Sequence, residues 1–154
     1  MPDRTACYED LEQPQKRGQA TEAIVQSAFA VRDVPVLVPT YDTEPYDLVV
    51  EVGGRLHRIQ CKTAYRKNEG AVAFETVSTR RRGSGSDRTE YDGCAEYFAV
   101  YDPINDDEYL VPVSDAATET MALRFRTPKT EQRAGINWCE EYLLDDRLDD
   151  LRRP

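Results

Sequence analysis

A pair of adjacent glycines, Gly53–Gly54, constrains the fold of this chain more than any other feature, because it fixes how two strands pair. Apolar and polar residues alternate on both sides of the pair, which predicts strands over Tyr46–Val52 and Leu56–Lys62. Successive glycines are typical of a type I′ hairpin turn, which needs positive φ at both central positions. Counting back from such a turn places Asp47 directly opposite Gln60.

The predicted register gathers polar groups on one face of the hairpin. Directly opposed residues of an antiparallel pair have Cβ atoms about 4.5–5.5 Å apart. Side chains alternate along a strand, so Gln60 and Lys62 share one face while Ile59 and Cys61 share the other. The Asp47 carboxylate, an amide and an ammonium group therefore converge on one patch. Antiparallel sheets commonly leave one face in water, so a solvated surface is the competing interpretation.

A helix predicted ahead of the hairpin supplies a further carboxylate. Apolar and small residues recur at helical spacing over Gly18–Asp33, and Glu22 lies off their stripe. We expect this helix to pack over the polar face of the hairpin and to bring Glu22 near the patch. Mg²⁺ prefers oxygen ligands, which carboxylates, amides and backbone carbonyls supply. The predicted ligands are Glu22, Asp47, the Gln60 side chain and the backbone carbonyl of Cys61.

Lys62 gives this predicted metal site a chemical use. A bound divalent metal lowers the pKa of a water ligand and stabilises charge on a phosphodiester. Lys62, on the same face, can orient an attacking water or neutralise a developing oxyanion. His57 is predicted to be a packed or edge side chain, and a single histidine does not support a catalytic triad. The four cysteines form no C-x-x-C pair and are predicted to be buried free thiols rather than zinc ligands.

The remaining elements complete a single α/β domain with a mixed sheet covered by helices. Further strands are predicted over Val34–Thr40, Ala71–Val77, Glu96–Asp102, Asp107–Ser114 and Leu123–Thr127. Ser114 and Asp115 can cap a short helix that continues to Ala122. The last twenty residues are predicted to be either a helix or an irregular tail. We expect a flexible N-terminal arm over residues 1–15, the folded domain over 16–144 and an acidic tail over 145–154.

The chain is acidic, but its basic residues are clustered. Its formal net charge is −9 and its pI about 4.7, and acidic proteins with few lysines suit a high-salt cytoplasm. The run "TRRRGSGSDR" is predicted to be a mobile loop, either merely solvated or in contact with the phosphates of DNA. The predicted DNA-binding residues are Lys16, Arg17, Arg66, Lys67, Arg80, Arg81 and Arg82.

No apolar run approaches the roughly 20 residues that cross a bilayer, and the first residues lack the apolar core of a signal peptide. We therefore expect a cytoplasmic protein that has no membrane partner.

The order of the candidate site residues resembles the PD-(D/E)XK nuclease superfamily. Glu22 lies in the first predicted helix, "YD" opens a strand, and "QCK" closes the next one, with Gln60 at the acidic position of the (D/E)XK element. The segments "KRGQATEA", "VLVPTYDTEPYDLVVEVGGRLHRIQCKTA", "EYFAVYDP", "EYLVPVS" and "GINWCEEYLL" are more closely similar to the group I intron-associated PD-(D/E)XK endonuclease family. A cyanobacterial homing endonuclease of that family also has Gln in the element. The similarity runs from Lys16 to Leu144.

This resemblance implies a metal-dependent endonuclease that cuts double-stranded DNA with Mg²⁺ or Mn²⁺, built on a central mixed β-sheet flanked by helices. Glu22 and Asp47 would be its metal-site carboxylates, Gln60 the third member of the site and Lys62 the catalytic lysine. Two positions depart from the superfamily pattern. Tyr46 separates the proline from Asp47, and Gln60 removes a negative charge, which should weaken metal binding or change the number of ions.

Two other functions fit the same residues. A Holliday junction resolvase-like nuclease shares the order of helix Glu, strand Asp and ExK-like element. A noncatalytic DNA-binding module could have kept the fold without the activity. For the endonuclease, cutting both strands of a symmetric site suits a two-fold assembly, so we expect a homodimer or a larger even oligomer.

Overall fold

A computed structural model describes residues 3–82, 85–90, 94–116, 119–128 and 135–154, with the backbone alone over 78–82 and 85–90. Its helices are α1 (Arg4–Glu9), α2 (Pro14–Ala30) and α3 (Leu144–Arg152), with short 3₁₀ turns at Val113–Asp115 and Cys139–Glu141. Its strands are β1 (Val36–Leu37), β2 (Leu48–Val52), β3 (Arg55–Thr63), β4 (Tyr65–Asn68), β5 (Ala71–Glu75), β6 (Val77–Arg82), β7 (Gly85–Glu90), β8 (Tyr97–Asp102), β9 (Asp107–Pro112) and β10 (Thr120–Arg124).

Five strands form the main sheet, in the order β1-β2-β3-β8-β9. The pair β3 and β8 is parallel and the other pairs are antiparallel, so the sheet is mixed as predicted. Strand β8 is buried along nearly its whole length, which agrees with its almost continuous apolar and aromatic sequence.

The Gly-Gly turn has the predicted geometry and register. Gly53 and Gly54 have φ of +60° and +76°. Val49 pairs with Arg58 and Leu48 with Ile59, as predicted, and the paired register ends at Leu48, one residue after Asp47. The pairing of Asp47 with Gln60 therefore stays a prediction. A Cβ on Gly53 would lie 2.7 Å from the Leu151 carbonyl oxygen, so this position needs glycine for space as well as for φ.

Each face of the main sheet is covered by a different layer. Val25 and Phe29 of α2 form one core with Ile59 and Cys61 of β3. On the other face, a second sheet in the order β10-β5-β4 packs against β8. There the rings of Phe74 and Phe98 meet edge to face at 5.6 Å. The main sheet therefore lies between helices and a small second sheet.

Several predicted elements differ from the structure. The segment Ser114–Ala122, predicted as a helix, contains a 3₁₀ turn and the start of β10, because Met121 pairs with Phe74 in the second sheet. The basic run predicted as a mobile loop lies mostly in the antiparallel hairpin β6–β7. Strand β4 was not predicted.

Both chain ends contain helices. Helix α1 lies in the segment predicted as a flexible arm, and the Asp3 side chain caps it by accepting a hydrogen bond from the Ala6 amide. Helix α3 spans most of the segment predicted as an acidic tail. Within the described residues, no helix combines the length and apolar character needed to cross a membrane.

The four cysteines are free, as predicted, although only Cys61 and Cys139 are buried. Cys7 is exposed and Cys94 is partly exposed, which corrects the prediction that all four lie in the core. Cys7 lies on the short surface helix α1, where only Tyr8 is buried.

Candidate active site

Asp47 is fixed where the β2–β3 ladder ends. Its backbone amide donates to the Ile59 carbonyl at 2.8 Å. Its Oδ2 accepts a hydrogen bond from the Cys61 amide, also at 2.8 Å. The carboxylate thus takes the place of the backbone carbonyl that a longer β2 would offer to the Cys61 amide, and this hydrogen bond helps to orient it.

The backbone of β3 points the Cys61 carbonyl to this same side. Arg58 accepts from the Glu96 amide at 3.0 Å and Ala64 donates to the Tyr101 carbonyl at 2.8 Å, so these even-numbered residues of β3 bond toward β8. Because successive residues of a strand direct their backbone N–H and C=O groups to opposite sides, those of the odd-numbered residues point toward β2. The Cys61 carbonyl therefore points to the side of Asp47, as its predicted ligand role requires.

Glu22 approaches Asp47 from helix α2, as predicted, but by a different route. The helix covers the face of Ile59 and Cys61, not the face of Gln60 and Lys62, because the apolar side chains of β3 lie on the former. Glu22 reaches Asp47 from that side of the sheet, near the end of the β2–β3 ladder. The expectation that α2 packs over the polar face is therefore wrong.

The two carboxyl groups raise the cost of carrying charge at this position. Burial, and then the negative charge of Asp47 beside it, raise the pKa of Glu22. Burial also raises the pKa of Asp47, against the opposing effects of the Cys61 amide and the Lys62 charge. Two adjacent acids whose charged forms are disfavoured are an arrangement that a bound cation relieves.

Lys62 lies between the two sheets. Its Nζ donates to the Val77 carbonyl at 3.3 Å and lies 5.9 Å from the centroid of the Phe98 ring. Burial lowers the pKa of Lys62, while the charges of Asp47 and Glu75 act in the opposite direction. Glu75, at the end of β5, was not singled out from the sequence. Only the packing of the second sheet brings it near Lys62, so no local pattern marks it.

Gln60 and Lys62 share the face that the second sheet covers, and Gln60 is half-buried there. In the described part of the chain, the Gln60 side chain makes no hydrogen bond. Among the described residues, no group of three or more His, Cys, Asp and Glu side chains could hold a metal. The predicted oxygen donors are two carboxylates, an amide and a backbone carbonyl, a set that fits a hard cation better than zinc.

The predicted DNA-binding residues occupy three places. Lys16 and Arg17 are exposed on α2, and Arg17 donates to the Leu11 and Glu9 carbonyls. Arg66 and Lys67 are exposed on β4. The backbone of Arg80–Arg82 lies in β6, and the side chains of these arginines lie outside the described part of the structure.

Arg17 and Arg66 meet at one groove, and Lys67 does not. The groove has a volume of about 430 Å³ and is also lined by Tyr8 and Thr63. Thr63 directly follows Lys62 on β3, but its hydroxyl faces α2, whereas the Lys62 Nζ lies on the side of the second sheet. Lys67 instead lines a neighbouring cavity of about 330 Å³ together with Arg124, which was not predicted.

The fold is that of the PD-(D/E)XK class of nucleases. A sequence model described as PD-(D/E)XK endonuclease matches residues 12–145, and the chain belongs to this family. No curated protein matches the sequence. Among solved structures, the chain is similar to a bacterial homing endonuclease, I-Ssp6803I. The TM-score is 0.72 at 18% identity, over 89% of this chain and 93% of that one. The predicted family and fold class are confirmed.

Proposed function

We propose that this protein is a metal-dependent endonuclease that hydrolyses phosphodiester bonds in double-stranded DNA, in the manner of a homing endonuclease. The observation that carries the proposal is the meeting of Glu22 and Asp47 at the sheet end, with the positive charge of Lys62 acting on Asp47. Membership of an endonuclease family and the fold of a homing endonuclease support the same chemistry.

Each residue then has one task. Glu22, Asp47, the Gln60 side-chain oxygen and the Cys61 carbonyl would hold Mg²⁺ or Mn²⁺. Such an ion, when bound, lowers the pKa of a water ligand and stabilises the charge that develops on phosphate. Lys62 presents an ammonium group beside the carboxylates, where it can orient water or neutralise the phosphate oxygen as the P–O bond breaks. Its lowered pKa makes proton release easier than for an exposed lysine.

The DNA backbone would follow the groove that carries Arg17 and Arg66, toward the arginines of β6. These side chains are cationic in a chain whose net charge is −9, so they offer local attraction on an otherwise repulsive molecule. Lys16 and Lys67 would extend the same contact on either side.

Plasmid cleavage tests the proposal directly. We expect the wild type to cut plasmid with Mg²⁺ or Mn²⁺ but not with EDTA. Asp47→Ala and Lys62→Ala should each be slower by about 100-fold or more, because each removes a group that acts on the reacting phosphate. Asp149→Ala is the matched control, since Asp149 is an exposed acid on α3 and its loss should leave the rate unchanged.

The same experiment separates the alternatives. A four-way DNA junction cut in preference to plasmid would favour a resolvase-like nuclease. DNA binding without cleavage, at both low and molar salt, would overturn the catalytic proposal and favour a noncatalytic module.

We further propose a homodimer or larger even oligomer that acts in the cytoplasm. Two active sites related by a two-fold axis can cut both strands of a symmetric site. Sedimentation equilibrium should therefore give an even multiple of the 17.6 kDa chain mass, and a monomer at micromolar concentration would contradict the assembly.

A further inference from the structure

Three hydroxyl groups join helix α1 to the two elements that carry the candidate catalytic residues. The Oγ1 atoms of Thr21 and Thr63 lie 2.7 Å apart. The Tyr8 hydroxyl lies 3.3 Å from the first and 3.5 Å from the second. Thr21 is 1% exposed and Tyr8 is 6% exposed, so water has little access to compete for these hydrogen bonds.

Two of these residues are direct neighbours of the site in sequence. Thr21 precedes Glu22 on α2, and Thr63 follows Lys62 on β3. Each threonine is one peptide unit away from a candidate catalytic group. A fixed distance between the two hydroxyls therefore limits how far α2 can slide or rotate relative to β3. Apolar packing between the layers is nondirectional, whereas hydrogen bonds fix distance and angle.

Helix α1 is held against the main sheet by side-chain contacts, so it can present Tyr8 to the two threonines in a fixed position. Its Arg4 guanidinium contacts the Asp106 carboxylate at 2.7 Å and the Glu108 carboxylate at 2.9 Å. The Tyr8 ring meets the Tyr101 ring edge to face, with centroids 5.3 Å apart. These contacts tie α1 to strands β8 and β9, so the Tyr8 hydroxyl is presented to the threonines by a docked element.

We propose that Tyr8, Thr21 and Thr63 form a hydroxyl latch that positions Glu22 relative to Asp47 and Lys62, which makes the N-terminal helix part of the active-site machinery. The proposal rests on the proposed nuclease function. All three are positioning residues: they act through the groups that would hold the cation, not on the reacting phosphate. Since outer-shell partners of metal ligands tune affinity as well as geometry, the latch should be visible in metal binding.

Thr21 is the discriminating position, because Tyr8 and Thr63 also line the basic groove and could touch DNA, whereas the buried Thr21 does not line it. Thr21→Val keeps the shape but removes the hydroxyl, and Thr21→Ser keeps the hydroxyl. Titration calorimetry with Mn²⁺ alone should show the dissociation constant of Thr21→Val raised about tenfold. Thr21→Ser should bind like the wild type, as should Thr40→Val, which alters an exposed threonine.

Kinetics and stability complete the experiment. At saturating Mn²⁺, kcat of Thr21→Val should fall while KM for DNA stays unchanged, because the groove is intact. Tyr8→Phe, which removes one hydroxyl, should raise the Mn²⁺ dissociation constant about threefold. Urea unfolding midpoints are measured for each variant. Weakened Mn²⁺ binding at wild-type protein stability supports a positioning role and not a general loss of folding.

The outcomes separate the two proposals. If Thr21→Val and Tyr8→Phe bind Mn²⁺ and cut DNA like the wild type, the latch is wrong and the nuclease proposal stands. If Thr21→Ser loses as much Mn²⁺ affinity as Thr21→Val, the hydroxyl is not the positioning group and the latch is again wrong. If the wild type neither binds Mn²⁺ nor cuts DNA, both proposals fall together.

Discussion

Gln60 is the residue at which this site departs most from its superfamily. It stands where the (D/E)XK element has an acid, and so the predicted site carries two carboxylates instead of three. The raised pKa values of Glu22 and Asp47 show that their charged forms are already disfavoured. The neutral amide of Gln60 adds no further negative charge to repel them, but it also lowers the affinity of the site for a cation.

We therefore expect Gln60→Glu to tighten cation binding. A new negative charge next to the cation should lower the Mg²⁺ concentration for half-maximal cleavage by about tenfold or more. The measurement is a Mg²⁺ titration of plasmid cleavage. Gln15→Glu adds the same charge at an exposed position of α2 and should change little. A Gln60→Glu variant with the Mg²⁺ dependence of the wild type would remove Gln60 from the ligand set.

The pKa values of the two acids predict the acid limb of the pH profile. A raised pKa keeps Glu22 and Asp47 protonated to a higher pH than ordinary carboxyl groups. Cation binding needs the carboxylates, so Mn²⁺ affinity should decline as pH falls through these raised pKa values. Calorimetry at several pH values should show this decline beginning above the ordinary carboxyl range, which is about 4. A decline confined to lower pH would contradict the crowded arrangement of the two acids.

The same pKa shifts predict a gain in stability from a loss of function. A folded-state pKa above the unfolded value means that the folded protein binds more protons, so these acids lower stability at neutral pH. Glu22→Gln should therefore raise the free energy of unfolding of the metal-free protein at pH 7, by no more than about 0.5 kcal/mol because Glu22 is partly exposed and water screens its repulsion from Asp47. Urea unfolding measures the change, with the exposed Glu12→Gln as control. A destabilised Glu22→Gln protein would show that contacts of Glu22 outweigh its repulsion from Asp47.

At the scale of single elements, the hairpin β2–β3 was fully predictable because its information is local. Two glycines set the turn, and the turn sets the register of the pairs from Val52 with Arg55 to Leu48 with Ile59. Only the last two residues of β10 fall in a predicted strand, Leu123–Thr127, since the Ser-Asp capping signal favoured a helix up to Ala122 and only pairing with β5 overrides that signal. The approach of Glu22 across the apolar face likewise depends on packing between distant elements.

The two glycines of the turn should differ sharply in their tolerance of alanine. Gly53→Ala combines positive φ with a Cβ 2.7 Å from the Leu151 carbonyl oxygen, whereas Gly54→Ala has positive φ but open space. We expect losses of about 1 kcal/mol for Gly54→Ala and at least 2 kcal/mol for Gly53→Ala. Urea unfolding of both variants checks the difference, and equal losses would show that α3 moves away freely.

The hairpin β6–β7 carries the most basic run of the chain. Replacing Arg80, Arg81 and Arg82 with Ala should weaken binding to any DNA sequence and flatten the dependence of log K on log salt, by up to about three in slope. Fluorescence anisotropy at several salt concentrations measures both effects. The control replaces Arg152, the last residue of α3, together with Arg153, which follows it. Unchanged binding by the triple variant would exclude these arginines from the DNA interface.

At the scale of the whole molecule, the main sheet separates two layers that each contribute side chains to the candidate site. Helices cover one face and a second sheet covers the other, and the candidate site lies where both layers reach the strand ends. Glu22 belongs to the helical side, while Gln60 and Lys62 belong to the side of the second sheet. The sequence predicted that Glu22 and Lys62 both lie near Asp47, but not that they come from opposite faces of the sheet, because that follows from how three layers stack.

The closeness of Asp47, Gln60 and Lys62 along the chain has a consequence for folding. A hairpin closed by a two-residue turn forms within about 1–10 μs in isolation, far sooner than pairings between distant segments. The parallel contact of Ile59 with Tyr97 requires the intervening chain to close a long loop first. Formation of this hairpin thus brings three of the four candidate catalytic residues together early in folding. Only Glu22 depends on a later step, the packing of α2 against the sheet.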